Sequence, residues 1–165
     1  METRKIARMG LLLALAMILS YVESLIPAFV AVPGVKVGLA NIVVIFALYT
    51  LGPIEALAIS LLRVVLSSLL FGSVLSLIYS LSGALLSLMG MIIMKKIKIF
   101  STTAVSVTGG VLHNVGQILV ACLVLDTNVL IYYLPVLVLS GTITGAVIGI
   151  IASLVIKRLE NNIRS

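Results

Sequence analysis

Six apolar runs, at 6–27, 37–51, 53–71, 73–94, 103–125 and 135–156, take up most of this 165-residue chain. A helix needs about 20 apolar residues to cross the hydrocarbon of a bilayer, where its backbone must satisfy every hydrogen bond internally. All the runs but the second, which is short, come close to that length or exceed it. With 62% hydrophobic residues and a mean hydropathy of +1.35, the chain lacks the polar skin that a soluble core of this size needs. The expected fold is an all-α integral membrane protein, a six-transmembrane-helix bundle forming one domain over residues 1–165. The first run is too long for a signal peptide and has no small-residue cleavage site, so it reads as a retained span.

The punctuation between the runs supports that division. Pro53 is a good first-turn residue, and Glu55 follows it where the helix dipole favours an anion. Pro135 is natural at the start of a helix, which leaves 129–134 as an interfacial segment anchored by Tyr132 and Tyr133. The connector 27–38 carries two prolines and two glycines yet is apolar, so it is neither a hydrophilic loop nor a span. Apolar backbone of that kind at a membrane edge must be covered by protein or line a cavity. A lid over a pocket and a loop lying on the bundle both satisfy the requirement.

Charge fixes the expected orientation. The net charge of +6 comes from 11 basic and 5 acidic residues, and the basic ones cluster beside spans. Arg4, Lys5 and Arg8 precede the first run, Lys95, Lys96 and Lys98 form one connector, and Lys157, Arg158 and Arg164 lie in the tail. This is the positive-inside pattern and not a phosphate-reading patch, so nucleic acid is not an expected partner. Six spans put all three clusters on one side, with only Lys36 opposite. Both termini are therefore expected in the cytoplasm, in the plasma membrane of a prokaryote.

A few polar side chains interrupt the runs. Arg63 costs about 2.5–3.5 kcal/mol at a helix centre on insertion scales, and a residue carried at that cost faces a cavity, a partner or a ligand. His113 and Gln117 are one helical turn apart on the fifth run, with Asn114 beside them. Arg63 and His113 both fall about ten residues into their spans, near mid-membrane depth at 1.5 Å per residue. One reading makes them the polar floor of a cavity that meets an anionic or carbonyl-bearing substrate. The other makes them an interhelical hydrogen-bond network. Glu23, in the outer third of the first run, and Lys36, in the lid, either pair across the cavity mouth or reach interfacial water. Ser76, Tyr79 and Ser80 share the outer half of the fourth run, with Tyr79 a candidate cavity wall. Asp126 reads as a solvated loop carboxylate.

Small residues mark two helix faces. Gly10 and Ala14, with Ala16 and Ser20 one face over, suit close approach of a separate membrane partner to span one. Gly141, Gly145, Gly149 and Ser153 repeat every four residues along span six, where packing within the chain is expected. The single cysteine, Cys122, excludes an internal disulfide. There is no P-loop, no paired carboxylate and no metal cluster, and Asp126 is the only aspartate, so no aspartate-rich diphosphate site can be built. Neither an enzyme nor a cofactor is expected.

The stretch Pro33-Gly34-Val35-Lys36-Val37-Gly38-Leu39-Ala40-Asn41-Ile42, followed by Leu51-Gly52-Pro53, resembles the substrate-binding S component of energy-coupling factor (ECF) vitamin transporters. Those proteins share its size, six spans, a capping first loop and a small-residue stripe on span one. Glu55-Ala56-Leu57 through Arg63, Tyr79-Ser80-Leu81-Ser82-Gly83 and Gly109-Gly110-Val111-Leu112-His113-Asn114-Val115-Gly116-Gln117 are similar to the Gx transporter group. That group is widely labelled heptaprenyl diphosphate synthase component I. The resemblance covers nearly the whole chain, although its span-one stripe departs from a clean Ala-x-x-x-Ala.

The resemblance implies a transport subunit that binds a small, partly apolar, anionic substrate of vitamin, isoprenoid or quinone-precursor type. Arg63, His113, Asn114, Gln117, Tyr79, Glu23 and Lys36 are the candidate substrate-binding residues. Gly10, Ala14, Ala16 and Ser20 are the candidates for a partner interface. It further implies a transmembrane coupling (T) subunit and two ABC ATPase subunits as partners. The alternative is a non-catalytic membrane subunit of an isoprenoid or quinone pathway enzyme, and a third is a structural membrane protein.

Overall fold

A computed structural model describes residues 2–25 and 38–164. Residues 26–37, which hold Lys36 and nearly all of the expected lid, lie outside the described residues. The described chain is helical: α1 (Glu2–Leu25), α2 (Asn41–Thr50), α3 (Pro53–Phe71), α4 (Val74–Ile97), α5 (Thr102–Val124) and α6 (Leu134–Arg164), with a short 3₁₀ helix at Val129–Tyr133.

Local chemistry sets these boundaries. Gly38, at φ +75°, turns the chain into α2 through an Asn41 N–H bond to its carbonyl at 2.8 Å. Gly52 takes φ +128° between α2 and α3, and Pro53 then opens α3 without a donor to satisfy. Ser73 and Ser101 cap α4 and α5, accepting from the Ser76 and Ala104 N–H groups at 3.1 and 3.2 Å. The Val129–Tyr133 segment ends where Leu134 begins α6, so Pro135 falls in the first turn, where its missing N–H costs nothing.

Five helices are long and apolar enough to cross a membrane, the last of them continuous with the 3₁₀ turn. The sixth, α2, has 10 residues, about 15 Å, or half the hydrocarbon thickness. It is also the most enclosed: Val43, Val44, Ile45, Ala47 and Leu48 are at most 2% exposed. They pack against Ala16, Ala56, Ile59, Leu88, Val105, Ile148 and Ala152, drawn from all five other helices. The outside of the bundle is apolar instead, with Leu11 and Leu69 each 72% exposed and Leu123 80% exposed, a surface suited to lipid.

Two glycine seams bring helices into backbone contact. A Cβ on Gly110 would lie 2.5 Å from the Gly141 carbonyl oxygen, one on Gly145 2.8 Å from Val107 Cα, and one on Gly149 2.6 Å from Thr103 Cα. The repeat on α6 thus packs on α5, within the chain. On the other side of α5, a Cβ on Gly116 would lie 2.9 Å from the Ser82 carbonyl oxygen, and the Ser82 hydroxyl donates to the Gly116 carbonyl at 3.0 Å.

The end carrying the basic clusters is held by charge. Lys5 pairs with Glu55, joining the first turns of α1 and α3. Lys95 donates to the Leu48 carbonyl at 2.6 Å and stands 4.7 Å from the centre of the Tyr49 ring, so a cation caps the C-terminal end of α2.

Candidate functional site: a hydroxyl-lined cavity

Residues of all six helices line a cavity within the bundle, beside the α2 core. Arg63 enters from α3, Glu23 from α1, and His113, Asn114 and Gln117 from α5. Five of the seven candidate binding residues therefore meet in one space.

Arg63 lies eight residues from the outer end of α3, about 12 Å down the helix. Its Nε is buried with no hydrogen-bond partner among the described residues, as is the Ser20 hydroxyl oxygen beside the same cavity. Arg63 and Glu23 line the same cavity without forming a salt bridge with each other. The Glu23 carboxylate instead accepts the Gly38 N–H at 2.5 Å, fastening the chain entering α2 to the outer end of α1. The rings of Tyr21 and Phe71, 5.2 Å apart, join α1 to α3 at the same level.

On α5 the polar residues divide their labour. Asn114 donates to the Leu137 carbonyl at 2.7 Å and is 6% exposed, so it ties α5 to α6 as well as edging the cavity. His113 and Gln117 pack on α4 at Gly83, where a Cβ would lie 2.7 Å from the His113 carbonyl oxygen and 2.8 Å from Gln117 Cγ. Gly83 is the gap in α4 that admits them.

The remaining candidates fall elsewhere. Tyr79 is not part of the lining, while Ser76 and Ser80 are. The cavity face of α4 is Ser76, Ser80 and Ser87, and Tyr79 projects about 70° round the helix from it. Ala16 and Ser20 do not face outward as a partner surface: Ala16 is 0% exposed in the α2 core, and Ser20 lines the cavity. Gly10 and Ala14 are exposed, and a Cβ on Gly10 would meet nothing within 4 Å. Six positions along a helix leave residues about 120° apart, so the two halves of the span-one stripe point in different directions.

Sequence reasoning missed most of the hydroxyls. Eight serines and Thr144 line the cavity with Asn41, Glu23, Arg63, His113, Asn114 and Gln117, and only four apolar side chains join them: Val64, Phe71, Met91 and Ile148. The repeat Ser76, Ser80, Gly83, Ser87 at helical spacing carried the signal, one polar stripe on an otherwise apolar helix.

No match was found among curated proteins or among solved structures. The family described as heptaprenyl diphosphate synthase component I matches residues 12–155. That range takes in every described residue of the cavity and the whole of α2 to α5, and the chain belongs to the heptaprenyl diphosphate synthase component I family.

Proposed function

We propose that the protein is the membrane-embedded substrate-binding subunit of an ECF-type importer, in a six-span arrangement with α2 as its short second span. The observation that carries this reading is the cavity itself. It reaches the end of the bundle where Ser24, Phe71 and Gly72 are exposed, adjoins the apolar α2 core, and holds a buried arginine whose Nε has no partner among the described residues. A bundle that served only as a scaffold has no use for a hydroxyl-lined space around a buried arginine, whereas an importer subunit must hold its cargo within the bundle. The basic end is cytoplasmic by the positive-inside rule, so the mouth faces outward. Having no P-loop, the chain depends on a coupling subunit and two ATPases, and the exposed Gly10 and Ala14 face of α1 is where the coupling helix packs.

The family description favours a second reading, a non-catalytic membrane subunit of heptaprenyl diphosphate synthase. Asp126 is the sole aspartate and sits in the exposed turn after α5, so any prenyl transfer would belong to the partner. Native mass spectrometry of the gently extracted complex separates the two. A coupling subunit with two ATPases supports the importer, and a soluble prenyl synthase in their place refutes it.

A further inference from the structure

The cavity's walls carry information about its ligand that its existence does not. Nine hydroxyl side chains line it, contributed by α1, α3, α4, α5 and α6. Ser68, Ser87 and Ser106 are buried in their helices, and their hydroxyls have no hydrogen-bond partner within the protein among the described residues. The polar lining is also deep. From Ser76 to Ser87 it follows α4 for 11 residues, about 16 Å, or roughly half the hydrocarbon thickness. Arg63 stands partway down this shaft, with Ser87 about 8 Å below it. An isoprenoid tail placed there would strip water from hydroxyls and an arginine while returning no hydrogen bond, an uncompensated desolvation.

From these walls we infer that the site takes a hydrophilic anion, a hydroxyl- or heteroatom-rich molecule bearing a carboxylate or phosphate that Arg63 binds, and that it excludes a prenyl chain. The inference rests on the cavity being the binding site, as proposed above, and narrows the substrate from partly apolar to rich in polar groups. The Arg63 guanidinium is a planar donor fork suited to either anion. The serines below it, each able to donate and to accept, suit a ligand whose polar groups continue down the shaft.

The test reads the shaft without knowing the ligand. In a Cys122→Ala background, Ser87→Cys places the only thiol below Arg63. The full chain in lipid nanodiscs is treated with the anionic sulfonatoethyl and the cationic trimethylammonium-ethyl methanethiosulfonates, and with membrane-permeant N-ethylmaleimide. The anionic reagent is expected to label Ser87→Cys, and the ratio of anionic to cationic rates to fall roughly tenfold in Arg63→Gln and recover in Arg63→Lys. Farnesyl diphosphate is expected to give no protection. Labelling by N-ethylmaleimide alone, or by none of the three, overturns the inference, as does a rate ratio indifferent to Arg63 or protection by farnesyl diphosphate. If Ser87→Cys fails to give monodisperse protein, Ser106→Cys, at the inner end of the lining, takes its place. Co-purification of the wrong partner would refute the importer and leave this labelling pattern intact, so the two failures are distinguishable.

Discussion

Adding a single methyl group at Gly110 should unseat α5 from α6. The new Cβ would sit 2.5 Å from the Gly141 carbonyl oxygen, and ordinary contact begins at 3.4 Å. The helices would have to part by about 0.9 Å, against a seam that is equally tight at Gly145 and Gly149. Overpacking of this kind costs about 1–3 kcal/mol, and the better helix propensity of alanine returns about 0.5–1. Gly110→Ala is therefore expected to lose about 1–2 kcal/mol. Gly149→Ala, which meets Thr103 Cα at 2.6 Å and does not line the cavity, should lose a similar amount. Gly10→Ala has open space around it and should be neutral or slightly stabilising. Reversible denaturant unfolding in bicelles, followed by circular dichroism, measures all three. If Gly110→Ala and Gly149→Ala match Gly10→Ala, backbone contact along α6 is not what holds these helices, and the packing argument fails.

Three other substitutions probe separate joints of the same bundle. Asn114→Leu removes the donor to the Leu137 carbonyl and should cost about 0.5–2 kcal/mol in the same unfolding assay, with no effect counting against the tie between α5 and α6. Lys95→Met loses both the bond to the Leu48 carbonyl and the cation over Tyr49, for about 1–2 kcal/mol, and hydrogen exchange should quicken in the last turn of α2. Glu23→Ala frees the Gly38 N–H, so exchange should rise across 38–41 while α3 stays protected; an unchanged rate at Gly38 would show that the carboxylate does not fasten it.

The elements were legible because their signals are local. Pro53, Pro135, Ser73 and Ser101 act within one turn of where they stand, and the structure starts helices at or beside each. The four-residue glycine repeat was equally plain, since its spacing alone puts Gly141, Gly145 and Gly149 on one face. What the spacing could not supply was the direction of a face. Gly10, Ala14, Ala16 and Ser20 are all small and all on α1, but only the packing of α2 decides that Ala16 and Ser20 turn inward. Tyr79 fails for the same reason: its neighbours Ser76 and Ser80 own the cavity face. The polar residues that did converge, Arg63 with His113, Asn114 and Gln117, were found through their cost in an apolar helix, which holds whichever way the helix is turned.

That cost argument also explains why the serines escaped notice. A hydroxyl on a helix can donate to a carbonyl of its own preceding turn, as Ser24 does to Tyr21 at 2.6 Å, Ser67 to Val64 at 3.2 Å and Thr144 to Ser140 at 2.9 Å. A serine also barely disturbs the mean hydropathy of its span, and α4 still reads as apolar enough to cross a membrane. Its oxygen nonetheless keeps lone pairs to present to a ligand, which an alanine at the same place would not. A cavity built from serines can therefore be polar on the inside while its helices remain apolar by composition. An arginine announces itself, and Arg63 is the point from which the rest of the site can be traced.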